Sequence, residues 1–275
     1  MKRIIVLSVL FLVLIAVSVC VISSRCEASD KPPEERGLEI AEEVDRRDNG
    51  FENQTGDMVM IIKNRHGDES LRNLRVRVLE VEGDGDKNLS IFDDPRDVKG
   101  TAFLVFSHKF GSDDQWLYLP ALKRVKRISS SNKSGSFMGS EFAYEDISSQ
   151  EVEKYTYKWI RNEQCPTEEY KDFKCFAIER YPVDAHSGYT RQVVWIDQGE
   201  YRIIKIDFYD RKNAELKTLT HKGYKQYLGK FWRSHEMYME NYQTGKTTRL
   251  LWDNYKFRTG LKESDFNRNA LKRAR

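Results

Sequence analysis

The sequence predicts a mainly β domain with few helices, of the α+β class: a strongly curved antiparallel sheet of about eleven strands, or incomplete β-barrel, with a helical lid over a hydrophobic cavity. Three observations lead there. After Gly56 apolar and polar side chains alternate, the two-residue period of strands that bury one face and wet the other. Turn-forming runs at residues 64–68, 111–114, 198–200 and 244–246 punctuate that alternation. Only one segment carries the 3.6-residue period of a long amphipathic helix, so a wide sheet has little helix to cover it and part of its concave side should be a cavity.

The chain starts with Met1, Lys2 and Arg3, followed by an apolar run over residues 4–22 that only Ser8, Ser18 and Cys20 interrupt. A basic start, an apolar stretch and a small residue at Ala28 make residues 1–28 a signal peptide. The same run is long enough, at about 19 residues, to serve as an uncleaved N-terminal anchor. Neither Cys20 nor Cys26 follows the pattern expected before a lipidated cysteine. Either way residues 29–275, read as one domain, lie outside the cytoplasm.

Residues 30–35 are polar and proline-rich, as a linker would be. Over residues 34–47, Leu38, Ile40, Ala41 and Val44 recur at helical spacing, with acids early and Arg46 and Arg47 late, which suits the helix dipole. Gly50 ends the helix. Strands are then predicted at 58–62, 74–81, 101–107, 115–119, 151–160, 173–181, 191–197, 201–209, 217–227, 231–240 and 247–257, with 125–129 a further candidate after Pro120.

The whole chain carries a net charge of +3, but the basic excess sits in the export segment. Removing Lys2, Arg3, Arg25 and Glu27 turns 46 basic and 43 acidic residues into 43 and 42. A nearly neutral domain lacks the electrostatic footprint of a nucleic-acid binder. Cys165 and Cys175 remain, an even pair in an oxidising compartment, and a disulfide between them is expected. No histidine lies near the pair, as a metal site would need. The sequence also has no nucleophile elbow, no His-Glu-x-x-His and no glycine-rich phosphate loop, and its five histidines are dispersed. Neither an enzyme nor a cofactor-dependent protein is expected.

The most distinctive stretch runs from residue 93 to 147. It holds Asp94-Pro95-Arg96-Asp97-Val98-Lys99-Gly100-Thr101, then Trp116-Leu117-Tyr118-Leu119-Pro120, then Lys126-Arg127-Ile128, and finally Ser136-Phe137-Met138-Gly139-Ser140-Glu141-Phe142-Ala143-Tyr144-Glu145-Asp146. In this order, together with a helix ending in Asp45-Arg46-Arg47-Asp48-Asn49-Gly50-Phe51, the series resembles a remote branch of the LolA-like family of bacterial outer-membrane lipoprotein-sorting proteins. The resemblance covers nearly all of residues 29–275. It implies a half-barrel with helices over a hydrophobic cavity that receives acyl chains. It further implies a periplasmic monomer whose cargo is a lipid or lipoprotein, with an inner-membrane transporter as donor and an acceptor at the outer membrane.

Candidate cavity residues are Leu104, Phe106, Ile204, Ile206 and Phe208 on strands, and Phe142 on the distinctive loop. Trp116 and Tyr118 share one face of their strand and Leu117 and Leu119 the other, so one pair should face the concavity. Phe137 and Met138 sit in an otherwise polar loop, either as a ligand-facing flap or as a plug of ordinary core. Lys123, Arg124, Lys126 and Arg127 form a basic run. It suits anionic headgroups or an acidic partner, or else charges an edge strand against aggregation, and Glu141, Glu145 and Asp146 are near enough in sequence to neutralise it. The function expected is a carrier of hydrophobic cargo. The rival reading is an anchored accessory subunit with a filled interior.

Overall fold

The computed structural model describes residues 31–272, so the predicted signal peptide or anchor at 1–28 lies outside the described residues. Helix α1 (Pro33–Asp48) opens on a proline, has Glu34 and Glu35 in its first turn and Arg46 and Arg47 in its last, and buries Gly37, Ile40 and Ala41. Strands β1 (Asn53–Lys63), β2 (Glu69–Leu79), β3 (Lys87–Asp94), β4 (Ala102–Phe106), β5 (Asp114–Leu119) and β6 (Arg124–Ile128) follow as a meander. A second run comprises β7 (Tyr155–Gln164), β8 (Lys174–Pro182), β9 (Tyr189–Asp197), β10 (Ile203–Asp210) and β11 (Glu215–Lys222). After a small ribbon of β12 (Lys225–Tyr227) and β13 (Phe231–Arg233), β14 (Glu236–Asn241) and β15 (Lys246–Phe257) complete the sheet.

The sheet has 13 strands in the order β6-β5-β4-β3-β2-β1-β15-β14-β11-β10-β9-β8-β7. Antiparallel pairing of β15 with β1 joins the two runs, with Met60 opposite Leu250. β6 and β7 are the two edges, and the curved sheet stays open between them. This corrects the expected count of about eleven. The sequence left β3 unread because Phe92 follows Ile91 directly and breaks the alternation, with Leu89 and Ile91 buried on one side of the layer and Phe92 on the other. The strands expected over 217–227 and 231–240 each break in two, at Gly223 with φ +63° and at Ser234, whose hydroxyl donates to the Lys222 carbonyl at 3.0 Å.

The inner face of the sheet carries one continuous apolar cluster, with Met58 and Met60 of β1, Phe92 of β3, Phe103 and Val105 of β4, Val194 and Ile196 of β9, and Ile206 and Phe208 of β10. Ile40 and Ala41 bring α1 onto it. A Cβ on Gly37 would come within 2.8 Å of the backbone nitrogens of Lys158 and Trp159, so glycine lets the helix lie directly on edge strand β7.

The outer face is covered in two places. Over β3–β6 the C-terminal segment packs Phe266 and Leu271 against Leu89, Ile91, Ala102 and Leu104. Over β7–β10 the loop closed by the Cys165–Cys175 disulfide packs Tyr170 against Ala177, Val193, Trp195 and Ile204.

Candidate functional site

The two open edges are linked by residues 129–154, which do not run around the outside. This strap lies on the inner face, built from short 3₁₀ turns at Ser130–Asn132, Tyr144–Asp146 and Val152–Lys154. Its centre is a tight hairpin. Ser136 bridges Ala143, the Phe137 N–H donates to the Phe142 carbonyl at 2.7 Å, and the Ser140 N–H closes a turn on the Phe137 carbonyl at 3.0 Å. Met138 and Gly139 stand at φ +51° and +80°, as the central residues of a type I′ turn must. The turn delivers Phe137 into the sheet, where it is 1% exposed with ring centroids of Phe103, Tyr144 and Phe92 at 5.1, 5.7 and 6.1 Å.

Polar side chains from across the sheet fasten the strap. Lys217 of β11, 4% exposed, donates to Asp146 at 2.6 Å and to the Glu141 carbonyl at 2.8 Å. The Tyr189 hydroxyl donates to Asp146 at 2.8 Å, Asn241 Nδ2 to Glu141 at 2.7 Å, and the Glu141 N–H to Thr248 Oγ1 at 3.0 Å. Arg72 of β2 bonds the Met138 carbonyl, and Gln115 of β5 donates to Ser148 Oγ at 2.8 Å. Glu145 accepts from Ser187 Oγ and the Gly188 N–H, both at 2.8 Å, while burial, and then the charge of Asp146, pushes its carboxyl upward. These are hydrogen bonds and one buried ion pair rather than a second sheet. Lys133 with Asp184 at 2.7 Å and Lys154 with Asp113 at 2.8 Å add partly buried ion pairs toward its two ends, while Phe137 and Phe142 anchor its centre in the core.

Between α1 and β7–β10 an apolar pocket of about 190 Å³ remains, walled by Ala41, Val44, Val152, Tyr157, Ile178, Val194, Ile196 and Ile203. Arg180, Gln150 and Ser149 add polar groups, and Asp45 and Asp48 stand at its rim on α1. Past Val44, Asp48 and Ile203 it adjoins a wider opening of about 390 Å³ lined by Arg46, Arg47, Arg202, Lys230 and Arg233 together with Tyr201, Tyr224 and Trp232. On the other side of α1 lies an acidic cleft of about 680 Å³ with Glu80, Asp84, Asp86 and Glu151. There burial, reinforced by the charge of Glu151, pushes Asp86 up to about 7.

A family profile described as "Uncharacterized protein" matches residues 84–273. No curated protein sequence matches the chain. A provisionally named outer membrane lipoprotein-sorting protein domain from Vibrio parahaemolyticus is 58% identical over 87% of this chain and 99% of its own, with a TM-score of 0.84. A DUF1329 family protein from Desulfovibrio piger is 31% identical over 88% of this chain and 100% of its own, with a TM-score of 0.81. The chain belongs to the LolA-like outer membrane lipoprotein-sorting family. It stands in a remote branch of that family together with these two proteins. A LolA superfamily protein from Nitrosomonas europaea, 20% identical over 85% of this chain and 98% of its own with a TM-score of 0.67, shares the fold.

In this LolA-like chain the inner face differs in detail from the sequence expectation. Leu104, Phe106, Trp116 and Tyr118 belong to the outer cluster under the C-terminal segment, so of the two pairs on β5 it is Leu117 and Leu119 that face inward. Ile206 and Phe208 face inward, but Ile204 does not. A register shift between Ile203 and Lys205 inserts an extra residue, turning Ile203 to the inner cluster and Ile204 to the outer one. Phe137 and Phe142 are core, with Met138 packed against them. The hollow expected beneath a helical lid is therefore largely filled, and its cover is one long helix plus an irregular strap.

The basic run divides. Lys123, just before edge strand β6, and Arg124 and Lys126 on it are exposed, and Arg127 pairs with Asp114. Glu141, Glu145 and Asp146 turn inward to Asn241, Gly188 and Lys217 instead of neutralising it. Sequence reasoning missed Lys217, Arg180 and Tyr189. They are polar residues on strands, and only the register places them on the inner face.

Proposed function

We propose that this protein is a periplasmic carrier that binds a lipid, lipoprotein acyl chains or a similar hydrophobic molecule on the inner face of its open barrel. The observation that carries the reading is the cover. An apolar face spanning both runs of strands is closed by a segment with little regular structure, fastened by a few polar contacts and adjoining an unfilled apolar pocket. Ligand pockets ordinarily enclose about 300–1,000 Å³, so a full acyl chain enters only when the strap or α1 lifts. Binding then exchanges Phe137 and its neighbours for cargo, at about 25 cal/mol per Å² of apolar surface covered. Family membership agrees with this role, as does the disulfide, which suits an oxidising compartment. The exposed edge of Lys123, Arg124 and Lys126, beside Leu122 at 62% exposure, would meet an anionic membrane surface or an acidic partner at handover.

Native mass spectrometry with lipid extraction of protein purified from the periplasm tests the proposal. Co-purified lipid that is lost on Phe208→Asp supports it, and clean protein that ignores added lipid opposes it. The filled interior favours one rival, an accessory subunit of an inner-membrane transporter with no cargo of its own. Capture of a transporter by lipid-free protein would favour that rival.

A further inference from the structure

Arg180 stands out among the inner-face residues. It is 6% exposed, yet among the described residues no carboxylate lies within ion-pair distance of it. Its guanidinium has only neutral partners: Nε donates to Gln192 Oε1 at 2.7 Å, Nη2 reaches Gln150 Oε1 at 3.3 Å, and the group lies 4.4 Å from the Tyr155 ring centroid. The neighbouring acids are engaged elsewhere. Asp146 is held by Lys217, Glu145 by Ser187 and Gly188, Asp48 by Arg233, and Asp45 accepts from Asn49. Taking a guanidinium out of water is unfavourable unless an anion restores what hydration supplied.

Arg180 also lines the apolar pocket, where its neighbours are Tyr157, Ile178, Val194 and Ile196. The adjoining opening holds a second unmatched group. His221, 9% exposed, lines the adjoining basic opening with an Nδ1 that has no hydrogen-bond partner among the described residues. Burial, and then the Arg180 charge, holds that imidazole down at about 4. A buried cation without a counter-ion, set among apolar walls, describes a receptor for one acidic group on a hydrocarbon chain.

We propose that the pocket takes a single-chain anionic amphiphile, its carboxylate or phosphate oxygens paired with the Arg180 fork and its chain laid along Val44, Val194, Ile196 and Ile203. This rests on the carrier reading and names its substrate class. A guanidinium presents parallel N–H donors that match either oxyanion. At roughly 30 Å³ per small group, 190 Å³ holds about six such groups before the chain emerges at Val44 and Ile203.

The test is calorimetric titration of the full chain with octanoate, octyl phosphate and octanol, which share one chain length. Wild type binds at least one of the anions about tenfold more tightly than octanol, and whichever is preferred identifies the carboxylate or the phosphate source. Arg180→Gln abolishes the preference while octanol affinity stays, and Arg180→Lys keeps part of it. Should Arg180→Gln fail to fold, the wild-type ratio and the lysine variant decide. Equal affinity for octanol and both anions overturns the inference and leaves the carrier reading standing. If none of the three binds, both fall.

Discussion

Phe137→Ala probes the contact on which the closed state depends. The ring is 1% exposed and packs on three aromatic neighbours, Phe92, Phe103 and Tyr144. The strap is held independently by Lys217, Asn241 and Arg72, so it cannot simply settle into the space that the ring vacates. The full penalty for a buried Phe→Ala cavity, about 3–5 kcal/mol, is therefore expected. In a domain of this size each kcal/mol lowers the melting temperature by about 2–4 °C, so the midpoint should fall by roughly 6–20 °C. Urea denaturation gives the free energy directly. In parallel, a fluorescent hydrophobic probe should bind more tightly to the variant, because the new cavity is lined by apolar rings. A loss below about 1 kcal/mol with unchanged probe binding would refute the packing argument, since a mobile, solvated Phe137 would behave in that way.

Other perturbations follow from the same geometry. Lys217→Met leaves Asp146 buried with only the Tyr189 hydroxyl and backbone donors, and should destabilise by about 3–5 kcal/mol and raise hydrogen exchange across residues 136–146 first; uniform exchange throughout the sheet would contradict a locally fastened strap. Gly37→Ala drives a methyl group to 2.8 Å from the β7 backbone, so a loss of about 1–3 kcal/mol is expected in a thermal melt, with α1 loosened from β7. Asp86, raised from the ordinary 3.8 to about 7, favours the folded protein while neutral and loses that contribution as pH rises through 7. Asp86→Asn should therefore gain about 2–3 kcal/mol over wild type at pH 8 relative to pH 5, and a gain independent of pH would remove the assignment.

The architecture was legible in the sequence where one face is dry and the other wet. Helix α1 and the strands flanking glycine turns follow directly from apolar spacing. β3 was not legible, because a strand buried on both faces has no alternation to read, and Leu89, Ile91 and Phe92 contact different clusters. The assignment of faces failed for a different reason. On β4 and β5 apolar residues occupy both sides, and only the C-terminal residues Phe266 and Leu271, more than 140 positions away, determine that Leu104 and Trp116 lie outside. On β10 a single extra residue at the bulge separated Ile204 from Ile206. The distinctive Ser136–Asp146 motif marked the important segment, but not its position. Its role as a strap depends on Lys217 and Tyr189, whose strand positions give no local sign that they face inward.

Carriage of cargo on the inner face requires the strap to leave it when cargo arrives. Hydrogen exchange of the full chain with and without a saturating two-chain lipid, too large for the 190 Å³ pocket, measures this directly. Faster exchange over residues 133–148 in the lipid-bound protein, together with new protection at Met60, Val194 and Ile206, is the predicted result. Bound lipid that leaves the strap as protected as in the free protein would contradict it.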